Sequence, residues 1–359
     1  MKEKKRISES KAQRDGTRKT TRVRLHDEEL QMVEDYRSLY NEAIELGQNP
    51  KDVKAGWIKN KEISLYVTNP NHNGLLDKQK DFKENLIKSL KEHSPKYPKI
   101  KRTKSKEGHL LIIDPADVHV GKLCTVFETG KAYDNQIAVQ RCLEGVDGIL
   151  NKSNGFNIDK IAFIGGNDIL HVDNPTNTTT GGTHQDTSGM WYDNFLIAKQ
   201  LYVDILEKLI TIADVHFVFN PSNHDYMSGF MLCQCIETHF RNCKNITFDT
   251  SIAHRKYFDY GNALIGTTHG DGAKQIDLGS LMSVECKDLW SYAEHRYFFT
   301  HHIHHKVAKD FINVKVESLR SPSPADSWHD KKGFVNIPAI EGYIISKKYG
   351  QVCRLTHNF

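Results

Sequence analysis

The chain is organised around one stretch, Phe219-Asn220-Pro221-Ser222-Asn223-His224-Asp225-Tyr226. The residues from Val215 to Phe219 form an apolar run that is typical of a buried strand. We therefore expect the Asn-His-Asp triplet in a turn at the C-terminal end of a strand, where open α/β sheets bind their ligands. The Asn offers a neutral carbonyl oxygen, the His carries a proton near neutral pH, and the Asp can orient a ring or a ligand. An isolated triplet of this kind is usually only a turn, so its meaning depends on the rest of the chain.

Four other turns that contain His also follow β-like runs. They are Asp117-Val118-His119, Gly166-Asn167-Asp168-Ile169-Leu170-His171, Thr268-His269-Gly270-Asp271 and His301-His302-Ile303-His304. We expect the alternate residues of Asp-x-His and His-x-His to lie on one side of an extended segment and to reach the same ion. Carboxylate and imidazole ligands suit Mn, Fe or Zn, whereas calcium prefers oxygen ligands. Two ions about 4 Å apart would clamp the attacking and leaving oxygens of a phosphoryl displacement.

The composition indicates a soluble globular protein. The chain has 359 residues, of which 38% are hydrophobic and 26% charged, enough for one large domain and a small one. It has no apolar run of membrane length and no signal-peptide core, so we expect a cytoplasmic protein without a membrane partner. The seven cysteines are scattered and form no CxxC pair, which favours reduced thiols over a disulfide framework.

The charge is distributed unevenly along the chain. Residues 1–106 carry about +10 and residues 107–359 about −6, and the histidines cluster in the second part. A basic arm joined to an acidic, His-rich body fits a metal enzyme that acts on a polyanion. A solvated tail beside an ordinary acidic surface explains the charge equally well.

Composition and periodicity divide the chain into four parts. Residues 1–24 are basic and Ser/Thr-rich and are expected to form a flexible arm. Residues 25–93 are expected to be a small, mainly helical region with helices near 27–46 and 77–92, either a DNA-binding module or a helical brace. Residues 94–107 form a basic linker with two prolines. In residues 108–359 short apolar strands alternate with helices and then give way to paired strands, which predicts an α/β fold of two packed sheets with helices outside.

The five turns resemble, in their order, the signature of the calcineurin-like metallophosphoesterases: D-x-H, G-D-x-x-(D/H), G-N-H-(D/E), a lone H and G-H-x-H. The Asp-x-x-His form of the second motif is similar to that of the SbcD-like DNA repair exonucleases. The resemblance spans about residues 108–350 and implies a four-layer α/β/β/α sandwich with a dinuclear metal site. Three glycines of the pattern are replaced, by Asn167, Ser222 and His301. Asn tolerates a left-handed backbone nearly as well as Gly does, and His less well.

The resemblance also implies roles for individual residues. One metal ion would be held by Asp117, His119, Asp168 and His304, and the second by Asp168, Asn223, His269 and His302. Asp168 would bridge the two ions because its carboxylate has two oxygens. His224 would protonate the leaving oxygen or stabilise the phosphate, Asp225 would orient it, and His171 would act near the phosphate. Mn²⁺ is the expected metal, with Mg²⁺, Fe or Zn as alternatives.

The polar loop over residues 172–190 starts at a ligand turn and is longer than a simple connection requires. We therefore expect it to bind substrate or to act as a lid, with His184 and the adjoining Trp191 as substrate-binding candidates. Arg255 either supplies a cation to a phosphate or begins a solvated strand.

These features predict a metal-dependent phosphodiesterase that acts on single- or double-stranded DNA, as an exonuclease or related nuclease of DNA repair. The alternatives are a phosphomonoesterase, or a small-molecule or cyclic nucleotide phosphodiesterase, which would not need the basic arm. A further alternative is a non-catalytic nucleic-acid-binding protein, for which a missing ligand would be expected. Because 55 residues follow His304, we expect no capping domain and no SMC-like ATPase partner. A homodimer stays open.

Overall fold

The computed structural model describes residues 5–12, 18–25, 55–59, 64–68, 95–102, 107–333 and 335–359. The chain forms two compact units, Met1–His93 and Ser94–Phe359. The first unit contains β1 (Lys5–Ala12), β2 (Arg18–Leu25), β3 (Ala55–Lys59) and β4 (Ser64–Thr68). The second unit contains, in chain order, β5 (His109–Asp114), α1 (Val126–Thr129), α2 (Asn135–Lys152), β6 (Ile158–Gly166), α3 (Trp191–Ile212), β7 (Asp214–Asn220), α4 (Tyr226–His239), β8 (Ile246–Asp249), β9 (Lys256–Tyr260), β10 (Ala263–Thr267), α5 (Leu278–Glu285), α6 (Lys287–Tyr292), β11 (His295–Thr300), β12 (Val307–Phe311), β13 (Val314–Ser318), α7 (Ser327–Lys331), β14 (Ala339–Ser346) and β15 (Gly350–Asn358).

The first unit holds a four-stranded antiparallel sheet in the order β2-β1-β4-β3. The prediction of a flexible arm over residues 1–24 is wrong for β1 and β2, which pair from Lys5 opposite Leu25 to Ala12 opposite Arg18. In β2, Thr and Val alternate with basic residues, and this period of two with β-branched residues favours a strand. Within the region expected to be mainly helical, β3 and β4 form a hairpin instead. The helices expected near residues 27–46 and 77–92 lie outside the described residues.

The second unit is built on two sheets. A six-stranded sheet has the order β15-β14-β5-β6-β7-β8, and a five-stranded sheet has the order β12-β13-β11-β10-β9. Strands β5 to β8 run parallel to one another, as do β10, β11 and β13. The carboxyl ends of the parallel strands in each sheet therefore lie at one edge of that sheet.

Three separate hydrophobic cores show that the second unit has four layers. Alternate residues of the central strands enter different cores, as Leu111 of β5 packs toward helices α2 to α4 while Ile112 packs toward the other sheet. Neighbouring residues of the five-stranded sheet also enter different cores, since Phe299 faces the six-stranded sheet and Phe298 faces α5. This arrangement confirms the predicted α/β/β/α sandwich. Within the described part of the chain, no helix combines the length and the apolar character needed to cross a bilayer.

Strands β12 and β13 form a hairpin that turns at Asn313, which has a left-handed φ of 62°. One local prediction needs correction. The segment 95–102, expected as part of a linker, is attached to the second unit. Tyr97 stacks on Phe240 at 5.2 Å between ring centroids, and a guanidinium nitrogen of Arg102 lies 2.5 Å from Asp214 Oδ1. An aromatic ring and a partnered cation anchor this stretch, although its Pro and Lys content suggested a free connection.

Candidate metal centre

The five His-containing turns all follow the carboxyl ends of parallel strands. Those after β5, β6 and β7 belong to the six-stranded sheet, and those after β10 and β11 belong to the five-stranded sheet. The two sheets bring these turns together, because side chains from both sheets lie within hydrogen-bonding distance of one another. The site therefore lies where α/β sheets usually bind ligands.

Left-handed turns, and not extended segments, aim the candidate ligands. Five ligand residues have positive φ, namely Asp117 (53°), His119 (52°), Asp168 (57°), His302 (70°) and His304 (55°). The expectation that Asp-x-His and His-x-His are extended segments is thus wrong. On a strand, the side chains of alternate residues would be spread along the strand axis, whereas the left-handed turns direct them to one place. A non-glycine residue in this region costs of order 1–3 kcal/mol and persists where the surrounding structure enforces it. Of the three residues at glycine positions, Asn167 has a φ of 50°, whereas Ser222 and His301 do not have positive φ.

The first ligand set joins both sheets. Asp117 and His119 follow β5, and His304 follows β11. The Nε2 atoms of His119 and His304 are 3.4 Å apart, and His304 Nε2 lies 3.4 Å from Asp117 Oδ1. Burial, followed by the charge of His224, lowers the pKa of His119 well below its usual value, so its imidazole is neutral and able to donate a lone pair.

The second ligand set forms around His269. Its Nε2 lies 3.3 Å from Asp168 Oδ2 and 2.9 Å from Asn223 Oδ1. The rings of His269 and His302 are 5.1 Å apart between centroids. Burial, followed by the charge of His269, lowers the pKa of His302. An amide oxygen, a carboxylate and two imidazoles thus converge here.

Asp168 lies between the two sets. Its Oδ2 is 3.3 Å from His269 Nε2 and 4.0 Å from His119 Nε2, so one oxygen approaches a ligand of each set. Its Oδ1 accepts a hydrogen bond of 3.0 Å from the backbone N–H of His224. Burial would raise the pKa of Asp168, but His269 and His224 outweigh burial and hold the pKa below its usual range. The carboxylate is therefore anionic and suited to bridge two cations.

The buried charges of the centre fit divalent cations. Asp117 is fully buried, its Oδ1 has only the contact with His304 Nε2 at 3.4 Å, and its Oδ2 lacks a hydrogen bond from the described residues. Burial lowers the pKa of His269, but Asp168 outweighs this effect, and the pKa rises to about 9. An imidazolium and a divalent cation are alternative ways to neutralise these carboxylates, and only the cation leaves every imidazole free as a ligand. Two nitrogens about 2.1 Å from one ion lie about 3–3.5 Å apart, which agrees with the separation of His119 and His304.

His224 and His171 lie beside the ligands. The ring of His224 packs edge-on against His119 at 4.7 Å and stacks on His171 at 5.2 Å. The Nδ1 of His224 lies 2.9 Å from the carbonyl oxygen of His171. A carbonyl only accepts, so Nδ1 of His224 carries the hydrogen and Nε2 is the atom that gains or loses a proton. The Nδ1 of His171 lies 3.3 Å from Nδ1 of His119.

Asp225 supports the turn and does not orient His224. Its Oδ2 accepts from the backbone N–H of Leu170 at 2.9 Å, and its Oδ1 accepts from Ser222 Oγ at 2.6 Å. Ser222 Oγ in turn accepts from the N–H of Asp168 at 2.7 Å. Burial, followed by the charge of Asp168, raises the pKa of Asp225 to about 8. The carboxylate of Asp225 is occupied by Leu170 and Ser222, so it does not contact the ring of His224. The carbonyl oxygen of His171 contacts that ring instead.

The buried Lys122 was not among the residues expected at the site. Its ammonium donates to the carbonyl of Pro324 at 2.8 Å and lies 3.2 Å from Asp326 Oδ2. Burial lowers the pKa of His171, and the charges of His224 and Lys122 act in the same direction. Lys122 thus fixes the segment after β13 beside the histidines. Its position three residues after His119 of the Asp-x-His turn was the available signal.

The loop over residues 172–190 is fixed to the ligand turn after β7. Asp173 Oδ1 accepts from the backbone N–H of Ser228 at 2.7 Å, and the N–H of Thr180 donates to the carbonyl of Asn223 at 3.1 Å. These contacts place the loop against the start of α4. His184 is exposed and forms an isolated bridge with Thr178.

The other two substrate-binding candidates lie at element ends. Trp191 begins α3, is 42% exposed and packs edge-on against Tyr192. Arg255 lies directly before β9 and forms a two-pronged ion pair with Glu285, in which Nη2–Oε1 is 2.5 Å and Nε–Oε2 is 2.8 Å. The guanidinium of Arg255 is therefore already neutralised by a carboxylate.

Comparisons with known proteins give weak structural matches. No protein-family model and no curated protein matches the chain. An archaeal phosphodiesterase is 9% identical with a TM-score of 0.32, and the match covers 70% of this chain and 99% of that one. Zinc-bound Vps29 from Entamoeba histolytica is 14% identical with a TM-score of 0.30, covering 70% and 98%. A predicted phosphoesterase from Streptococcus pneumoniae is 12% identical with a TM-score of 0.28, covering 71% and 99%. With TM-scores below 0.5, these matches do not decide the activity of this chain.

Proposed function

We propose that this chain is a dinuclear-metal-dependent phosphodiesterase that hydrolyses DNA, as an exonuclease or related nuclease. The observation that carries the proposal is the position of Asp168, whose Oδ2 approaches His119 of one ligand set and His269 of the other. Seven candidate ligands from five turns around a shared carboxylate are more than a structural ion pair needs.

Two groups of residues would hold the ions. Asp117, His119 and His304 form one group, and Asp168, His269 and His302 form the other, with Asn223 beside His269. Bound divalent ions supply charge that stabilises the attacking and leaving oxygens of a phosphodiester displacement. Mn²⁺ is our proposed metal, because mixed carboxylate and imidazole ligands suit it.

His224 is the proposed general acid. Its Nδ1–H donates to the carbonyl of His171, which leaves Nε2 to deliver a proton to the leaving oxygen. His171 has a second role through His119. With Nε2 of His119 directed at the ligand set, Nδ1 carries the hydrogen and donates to Nδ1 of His171. One residue thereby holds both groups, His119 through its ring and His224 through its backbone carbonyl.

The charge of the first unit supports a nucleic-acid substrate. In the register of β1 and β2, Arg6 lies opposite Arg24, and Lys11 lies opposite Lys19. A cluster of basic residues attracts a polyanion electrostatically. Contacts of this kind act on the phosphate backbone and do not read sequence.

One assay tests the proposal. Purified protein with Mn²⁺ or Mg²⁺ is given end-labelled single-stranded DNA, duplex DNA, RNA and a chromogenic phosphodiester, with Asp168→Asn as the inactive reference. We expect metal-dependent cleavage of DNA and of the chromogenic diester. Cleavage of the chromogenic substrate alone would point to a small-molecule phosphodiesterase. Hydrolysis only of a phosphomonoester would contradict the proposal.

A further inference from the structure

A buried imidazole–carboxylate pair lies outside both ligand sets. His301 and Asp114 are 1% and 0% exposed, and His301 Nε2 lies 3.0 Å from Asp114 Oδ2. Asp114 ends β5 in the six-stranded sheet, and His301 follows β11 in the five-stranded sheet. The pair therefore links the two sheets at the edge where the ligand turns meet.

His301 also holds the turn after β10. Its Nδ1 lies 2.9 Å from the carbonyl oxygen of Thr268, and its backbone N–H donates to the carbonyl of His269 at 2.7 Å. The residues it contacts are close in sequence to ligands, since Thr268 precedes His269 and Asp114 lies three positions before Asp117. His301, which itself begins the turn after β11, is thus bonded through its side chain to the bases of the ligand turns after β5 and β10.

The hydrogens of this pair follow from its partners. The carbonyl of Thr268 only accepts, so Nδ1 of His301 must carry a hydrogen. Nε2 then shares a single proton with Asp114 Oδ2, whichever of the two atoms it rests on. Both ring nitrogens are consequently engaged, and the orientation of the ring is fixed. Removing the ring would leave a buried carboxylate and a buried carbonyl without partners, which is costly in a protein interior.

We propose that His301, held by Asp114, is a positioning residue that sets the spacing of the metal-ligand turns. The inference rests on the proposed dinuclear site. The glycine expected at this position could make neither side-chain bond. His301 has no left-handed φ that would favour glycine, so the backbone accommodates the larger residue. His301 contacts neither substrate nor metal in this role, and it acts through His269, His302 and Asp117.

The test compares three variants of the full chain. His301→Phe keeps a ring of similar size and removes both nitrogens. Asp114→Asn keeps a hydrogen bond, because its amide can donate to Nε2 of a neutral His301. His295→Phe is the matched control, since it makes the same change at the opposite end of β11, where His295 Nε2 faces the carbonyl of Lys348. Mn²⁺ is titrated calorimetrically into each metal-free protein, and kcat and KM are measured on a chromogenic phosphodiester.

We expect His301→Phe to bind Mn²⁺ about 10–100-fold more weakly and to lose kcat with little change in KM. Asp114→Asn and His295→Phe should stay within about threefold of the unmodified protein, a smaller change than loss of a supporting residue gives. Unchanged Mn²⁺ affinity in His301→Phe would overturn the inference. An equal loss in Asp114→Asn would also overturn it, because a negative charge and not the hydrogen bond would then matter.

Two further results separate this inference from the proposed function. If the unmodified protein binds two ions that His301→Phe loses, and yet no phosphodiester is cleaved, the inference stands and the proposed function fails. If His301→Phe behaves as the unmodified protein does while DNA is cleaved, only the inference fails. If circular dichroism shows that His301→Phe is unfolded, the Mn²⁺ affinity of His301→Gln is measured in its place. The amide of Gln keeps a donor for the carbonyl of Thr268. Full Mn²⁺ affinity in a folded His301→Leu would likewise overturn the inference.

Discussion

Asp168 Oδ2 lies 3.3 Å from His269 Nε2, and the two groups are fully buried. The same oxygen lies 4.0 Å from His119 Nε2, so a single carboxylate connects the two ligand sets. Asp168→Asn removes the negative charge and replaces one carboxylate oxygen by an amide nitrogen. We expect activity to fall by more than the ~10–100-fold typical of residues that only support a ligand. Asp186→Asn, the same change on the exposed loop, should leave the rate and the metal content unchanged. Near-normal turnover of Asp168→Asn with full metal would exclude the bridging role.

The second prediction concerns His224. His224→Gln keeps an amide that can donate to the carbonyl of His171 but cannot transfer a proton. The rate should fall about 10²–10⁴-fold with metal content unchanged, because a general acid contributes about that much. Metal content is measured by elemental analysis, and His295→Gln is the control. Loss of metal in parallel with the rate would make His224 a ligand.

The third prediction concerns Ser222, which links Asp168 to Asp225. Ser222→Ala leaves the N–H of Asp168 without its acceptor, and Asp225 loses a donor. The free energy of unfolding should fall by about 1–3 kcal/mol, because a buried polar group becomes unpaired. Urea unfolding measures this change, and Ser291→Ala on the exposed side of α6 should change stability by less than about 0.5 kcal/mol. Equal stability of both variants would show that the bond chain contributes nothing.

The fourth prediction concerns the basic residues of β2. Arg18, Lys19, Arg22 and Arg24 are replaced together by Gln. For each phosphate that the protein no longer neutralises, the slope of log affinity against log salt should decrease by about 0.9 for duplex DNA and about 0.7 for single strands. The control replaces four exposed lysines of the second unit, Lys244, Lys274, Lys287 and Lys348, and makes the same change in net charge. A salt slope that is equal in both variants would show that β2 makes no specific contribution to DNA binding.

The layered fold could be predicted because its signals are local. The apolar residues of Leu110–Ile113 and the apolar run from Val215 to Phe219 indicate strands that are buried on both faces. The chain order of strands and helices then restricts the architecture to packed sheets with outer helices. The β1–β2 hairpin was missed because its residues are basic and Ser/Thr-rich, a composition that also suits an unstructured arm.

The candidate ligands could be identified because His and Asp at strand ends are unusual in that number and order. Their backbone could not be predicted, since a left-handed φ at Asp117 or His119 is enforced by tertiary packing and not by residue preference. The partners of His301 and Asp225 were also beyond the sequence. Asp114 is 187 positions from His301, and nothing local to either residue indicates that they meet.

Two ions held around Asp168 would make this chain a phosphodiesterase. The decisive measurement is a stepwise addition of Mn²⁺ to metal-free protein, with hydrolysis of a chromogenic phosphodiester followed at each step. We predict no turnover without metal and an increase that ends at two ions per chain. Full turnover after exhaustive chelation, or a plateau at one ion per chain, would exclude a dinuclear centre as the source of the activity.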